Sequence, residues 1–248
     1  HYERDIAYLG EKALSYSTFC HYTNMYNTRL KTYRERHGWK AFASTFLSYI
    51  PTENLRYGNS LWCADGSGTL AYSYLDRTGK LRSMRLYIIM VTDVATGKIV
   101  GWAPASIGQH KETPEMVREA VLMGLRGCGK REIMEFVSDN HGAFTGTESV
   151  EFLTQVCRKV RTIEPGNSQA NYAETQFRLF KKTIRSEFNW LGSSWDSKDI
   201  ENTANEDYLN AESFPSYAEV IEQVSRKIEE WNNRVMQCGE TRSELYAE

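Results

Sequence analysis

A chain of 248 residues, 41% apolar and 25% charged, can bury a substantial core and has the balance of a soluble globular protein, which excludes fibrous and disordered classes. Its net charge of −2 does not mark it as a general nucleic-acid binder. Its five cysteines include no CxxC pair, which argues against a zinc cluster and for reduced thiols in an intracellular, cytoplasmic setting. No apolar run is long enough to span a bilayer and no signal peptide is evident. The opening His1 and the unpunctuated end at Glu248 read as an excised piece of a longer protein.

Residues 12–37 read as a helix, with Ser15 or Ser17 as cap and a basic end carried by Arg29, Lys31, Arg34, Arg36 and Lys40. Pro51 and the polar stretch to Ser60 read as a linker. "LWCADGSGTLAYSYLD", "MRLYIIMVTDV" and "ATGKIVGWAPA" are three β-prone runs joined by short glycine turns, hence an antiparallel meander. "ETPEMVREAVLMGLRG" has Thr113 as N-cap, Pro114 at the first helical position and Gly127 as stop, and so predicts a well-marked helix. A fourth strand, "REIMEFVSD", a helix, "TESVEFLTQVCRK", and a short fifth strand, "VRTIEP", follow. Residues 171–188 form another helix. A polar excursion runs from about Gly192 to Pro215, and "SYAEVIEQVSRKIEEWNNR" is a last amphipathic helix. The order β-β-β-α-β-α-β-α implies an α/β protein with a mixed five-stranded sheet flanked by helices and preceded by an N-terminal helical segment, the order of the ribonuclease H-like fold.

Three acidic residues stand out on this frame. Asp65 lies on the first strand, Asp139 ends the fourth, and Glu174 lies in the first turn of the helix after the fifth. In such a sheet the first and fourth strands are neighbours, so two carboxylates meet and the helix can bring the third. Clustered carboxylates repel unless cations neutralise them. Oxygen-only ligands favour Mg²⁺ or Mn²⁺ over zinc, and two ions roughly 3.5–4 Å apart would serve phosphodiester chemistry. Each residue also has an ordinary reading: Asp65 as a strand-end residue, Asp139 as a turn former, Glu174 as a helix partner of Arg178. Asp76 and Asp93 read as turn residues, and His110 and Cys63 as structural. His21 and His37 lack the cysteine pair of a zinc module.

On the helix of Glu174, Ala173, Phe177, Phe180, Ile184 and Phe188 form one apolar stripe, while Arg178, Lys181 and Arg185 follow Glu174 on the adjacent face with Lys182 flanking. A basic ridge beside a carboxylate suits DNA phosphates running past, though a solvated charged face looks similar.

"WCADGSG", "YIIMVTDVATGKIVGW", "VSDNHGAF" and "EPGNSQANYAETQFRLFKK" resemble the catalytic core of DDE transposases and retroviral-type integrases, more the phage Mu-like and related bacterial transposases than the retroviral enzymes. The 35-residue step from Asp139 to Glu174 is the spacing for which the D,D-35-E group is named. The resemblance covers about residues 58–235. It implies that Asp65, Asp139 and Glu174 are the catalytic, metal-binding triad for two Mg²⁺ or Mn²⁺ ions, and that Asn140, Arg178, Lys181, Lys182 and Arg185 contact DNA. It implies 3′-end nicking and strand transfer on double-stranded DNA by a homo-oligomer, the DNA integration and recombination of a mobile element or prophage, with no membrane involved. A mobile glycine loop at "PGNSQAN" is also implied. One departure is His141, interposed where many integrases read Asp-Asn-Gly; it can lie behind the metal ligands, touch DNA, or be an exposed loop residue. Residues 1–57 then read as the remnant of a helix-turn-helix module plus linker, and 236–248 as the start of a linker to a further domain. A nuclease of the same fold that does not join strands, and a non-catalytic domesticated DNA-binding module, stay open as alternatives.

Overall fold

The structure, a computed structural model of the chain, describes residues 15–25, 32–39, 41–42, 55, 57–109, 111–129, 131–163, 172–190 and 213–247. Arg29, Lys31 and Lys40, most of the expected linker, His110, the glycine loop before Tyr172 and the polar excursion to residue 212 lie outside the described residues. The chain divides into two compact units, 1–53 and 54–248.

In the first unit, helix α1 (Tyr16–Asn24) begins at Ser15, whose hydroxyl accepts the Thr18 N–H at 3.2 Å. That bond satisfies one of the donors every helix start leaves open. A single helix over 12–37 is not what forms. Met25 leaves helical space with a ψ of 138°, and residues 32–39 are helical again. Asn24, a poor helix former, ends the run.

The second unit is built on strands β1 (Leu61–Leu75), β2 (Leu81–Asp93), β3 (Ile99–Pro104), β4 (Ile133–Ser138) and β5 (Cys157–Thr162). They form one sheet in the order β3-β2-β1-β4-β5. The first three are antiparallel, while β4 runs parallel to β1 and β5 parallel to β4. With helices α2 (Pro114–Gly127), α3 (Gly142–Thr145), α4 (Thr147–Val156), α5 (Tyr172–Ile184) and α6 (Tyr217–Asn232) around it, this is the ribonuclease H-like fold. Among the described residues no helix is long and apolar enough to cross a membrane.

Alternation along the strands decides which helix covers which face. Trp62, Ala64, Ile89, Val91 and Phe136 pack with Met116, Val117, Ala120 and Val121 of α2 and Leu153 of α4. Leu70, Tyr72, Leu86, Ile88 and Met90 pack on the other face with Phe177, Phe180 and Ile184 of α5 and Val220, Val224, Ile228 and Trp231 of α6. Two glycines let α2 lie close. A β-carbon on Gly101 would overlap the Ala120 carbonyl oxygen, and one on Gly124 would come within 2.7 Å of the Trp62 ring. Across the edge strand, Asn232 of α6 accepts the Ile99 N–H and donates to the Ile99 carbonyl, both at 2.9 Å, so a side-chain amide caps backbone groups that would otherwise be open.

Three boundaries differ from the sequence reading. β5 begins at Cys157 directly after α4, because Cys157, Lys159 and Val160 pair with Ile133, Glu135 and Phe136. Sheet pairing takes residues that helical periodicity assigned to the preceding helix. α5 ends at Ile184, and Phe188, expected on its buried stripe, is 67% exposed. A short helix, α7 (Arg242–Ala247), forms in the closing segment, with the Thr241 N–H donating to Glu244 Oε2 and the Glu244 N–H to Thr241 Oγ1. This reciprocal capping was legible as Thr-x-x-Glu. Its Tyr246 is buried in the core beside α2.

Candidate active site

The site forms where β1 and β4 lie side by side. Their register pairs Leu61 with Glu135 through Ala64 with Ser138, a constant offset of 74 residues. Asp65 and Asp139 continue that register by one step, so their backbones are neighbours where β4 ends alongside the middle of the longer β1. Trp62 and Ala64 face α2, so alternation turns Cys63 and Asp65 toward the α5 face. Asp65 is partly buried, and its Oδ1 accepts the Gly66 N–H at 2.9 Å. Burial first, then the negative charge of Asp139, pushes the Asp65 carboxyl up to about 7; Glu112 adds to this, while the Gly66 bond and the Lys181 charge oppose it. Asp139 ends β4 in a turn in which the His141 N–H donates to its Oδ1 at 3.2 Å. The turn-forming habit of Asp and its place beside Asp65 are therefore two aspects of one geometry.

The helix α5 carries Glu174 in its first turn, although the placement of that side chain lies outside the described residues. Tyr172, two residues earlier, packs on Leu61, Val137 and Ile163, which brings the start of α5 to the end of β4. Lys181, two turns on, is not part of an open ridge. It is partly buried, burial lowers its pKa, and the Asp65 charge pulls the other way. Arg178, Lys182 and Arg185 are exposed, as is Asn140 next to Asp139.

Sequence reasoning missed Glu112. It precedes Thr113, the N-cap of α2, and no local pattern distinguishes it from any loop glutamate. Its Oε2 lies 3.2 Å from His141 Nδ1. Burial, followed by the charge of Asp139, raises its carboxyl, while His141 opposes the shift. The same His141 nitrogen is 3.5 Å from the Ala143 N–H. One ring nitrogen cannot donate to the first and accept from the second, and the shorter, charge-assisted contact to Glu112 is the hydrogen bond.

Asp76 and Asp93 also find their roles. Asp76 Oδ1 accepts the N–H groups of Thr78 and Lys80 at 2.9 and 3.0 Å, closing the first hairpin as expected of a turn residue. Asp93 closes the second hairpin through Thr96, but it is also fully buried and reaches across to Asn59.

Among the described residues no group of three or more His, Cys, Asp or Glu side chains is placed to hold a metal ion. What Asp65 and Asp139 offer does fit a hard divalent cation. They are adjacent, they bear only oxygen donors, and their mutual repulsion is what a cation would relieve.

No protein-family model and no curated protein matches the chain. Solved structures similar to it include the catalytic core domain of BIV integrase (17% identity, 77% of this chain and 95% of that one, TM-score 0.45) and the HTLV-2 integrase catalytic core domain in complex with magnesium (18%, 77% and 97%, TM-score 0.44). A chain of the simian T-cell lymphotropic virus intasome is similar over 100% of this chain and 75% of its own length, at 12% identity and TM-score 0.49.

Proposed function

We propose that the chain is the catalytic core of a DDE-type polynucleotidyl transferase, which nicks double-stranded DNA at a 3′ end and joins the freed 3′-OH to a second DNA. The observation that carries this reading is that Asp65, inside β1, and Asp139, just past the end of β4, fall one step beyond the last paired residues of these two neighbouring parallel strands, beside the helix that bears Glu174. Asp65, Asp139 and Glu174 hold the metal. Bound Mg²⁺ or Mn²⁺ supplies an activated attacking oxygen and neutralises the leaving one. Asn140, Arg178, Lys182 and Arg185 face solvent and bind phosphates. Lys181 projects a positive charge into the field of Asp65, where a phosphate entering the site would meet it. The protein acts as a homo-oligomer on DNA, with residues 1–57 as a DNA-binding remnant and linker.

The test is the incubation of the chain with supercoiled plasmid, a labelled oligonucleotide bearing a 3′-OH, and Mn²⁺. Metal-dependent transfer of label to the plasmid, lost in Asp139→Asn, is the expected result. Nicking without joining would identify a nuclease of the same fold. Binding without either reaction would identify a non-catalytic DNA-binding module.

A further inference from the structure

Among the described residues, Glu112 is an acidic side chain at this site for which the proposed chemistry has no use. Its placement is nonetheless specific. Gly66 of β1 lacks a side chain where Glu112 passes, and a β-carbon there would overlap the Glu112 carboxyl group. The Glu112 side chain is only 15% exposed, against 53% for His141, its partner at 3.2 Å. Two residues it meets are those whose backbone N–H groups hold the aspartates: Gly66 donates to Asp65 Oδ1 at 2.9 Å, and His141 donates to Asp139 Oδ1 at 3.2 Å. Glu112 thus joins three chain segments, namely β1, the entry to α2 and the turn after β4.

We propose that Glu112 is a positioning residue, which acts through His141 and Gly66 to set the angles of the Asp139 and Asp65 carboxylates toward a shared divalent cation. This rests on reading those two aspartates as metal ligands. A ligand without a second layer of hydrogen bonds wanders, and removing such outer partners weakens metal affinity about 10- to 100-fold. If Glu112 works by position, its charge is dispensable. Gln has the same length, and its amide oxygen still accepts from His141 Nδ1–H. If Glu112 works by charge, as a further ligand, Gln fails as badly as Ala.

The experiment measures Mn²⁺ binding to the 248-residue chain without DNA, by electron paramagnetic resonance of free Mn²⁺, and thermal unfolding in chelator. Glu112→Ala and His141→Ala should each weaken Mn²⁺ about 10-fold or more. Glu112→Gln and His141→Asn, whose amide N–H stands near the position of Nδ1–H, should stay within roughly threefold of the parent. The double alanine variant should bind no more weakly than the worse single, because both changes cut one connection. Gly66→Ala should expel Glu112 and mimic Glu112→Ala. Alanine variants that bind Mn²⁺ like the parent, whether or not they melt earlier, overturn the proposal by reducing the pair to a structural contact. Glu112→Gln as weak as Glu112→Ala overturns it in favour of a charged ligand. A parent that binds no Mn²⁺ overturns the metal reading itself, and the positioning role with it.

Discussion

The Asp93 carboxylate, wholly buried at the end of β2, accepts the backbone N–H of Asn59 at 2.8 Å while its other oxygen accepts Thr96 N–H at 3.0 Å and Thr96 Oγ1–H at 2.8 Å. Asn59, held at a φ of 65°, in turn accepts the Trp62 indole N–H at 3.0 Å. Asp93→Asn turns an acceptor into a donor facing N–H groups and should cost about 2–3 kcal/mol in urea unfolding. Asp76→Asn, at an exposed turn, should cost far less than Asp93→Asn and leave nicking and joining intact. Only Asp76 is a clean control for the acidic site.

Asp65→Asn, Asp139→Asn and Glu174→Gln should each reduce joining and nicking at least about 100-fold, because each removes the charge of a proposed metal ligand. The melting temperature without metal should hold or rise in Asp65→Asn and Asp139→Asn, since their repulsion is relieved. A variant that melts well below the parent would mean that the residue is structural.

Mg²⁺ or Mn²⁺ should raise the unfolding free energy of the parent by about 2.7 kcal/mol at a hundredfold excess over Kd. Thermal scans should show that gain shrinking in Asp65→Asn and Asp139→Asn. An equal gain in all three proteins would place the cation elsewhere.

In chelator, Asp65 should make the fold less stable as pH rises from about 4 to about 7. Its carboxyl is raised in the folded state, so that state retains a proton which the unfolded chain has released, and stability is lost up to the folded value. Urea midpoints of the parent should fall across this window more steeply than those of Asp65→Asn. A midpoint equally flat in both would show that Asp65 is not crowded.

Tyr246→Phe should destabilise by about 1–2 kcal/mol, because the buried Tyr246 hydroxyl donates to the same Asn59 oxygen that accepts from Trp62. Removing residues 236–248 should cost more, by uncovering Gly58 and emptying the place of the ring. Denaturant titrations of both variants check this.

The isolated chain should bind DNA weakly, without sequence preference and with steep salt dependence, given its net charge of −2 and the few exposed cations of α5. Tight sequence-specific binding in a titration would contradict it.

The sequence by itself determined the strands of the sheet and their order, because strand alternation, the Thr113–Pro114 start of α2 and the glycine turns are local signals, but it did not set the break at Met25, the start of β5 or α7. It also determined the candidate pair. The 74 residues from Asp65 to Asp139 equal the β1–β4 register offset; sheet order made the two strands neighbours, and the register itself set these two residues opposite one another. Other outcomes were decided by tertiary structure. Cys157 became strand because β4 offered it partners, and Asp93 became a buried anchor because Asn59 and Thr96 surround it. Lys181 left the basic ridge because α5 lies against the face that carries Asp65. Glu112 joined the site because Gly66 leaves room and His141 stands across from it. These are contacts between residues distant in the chain, and the energy that settles them comes from burial and charge, neither of which has a period or a motif.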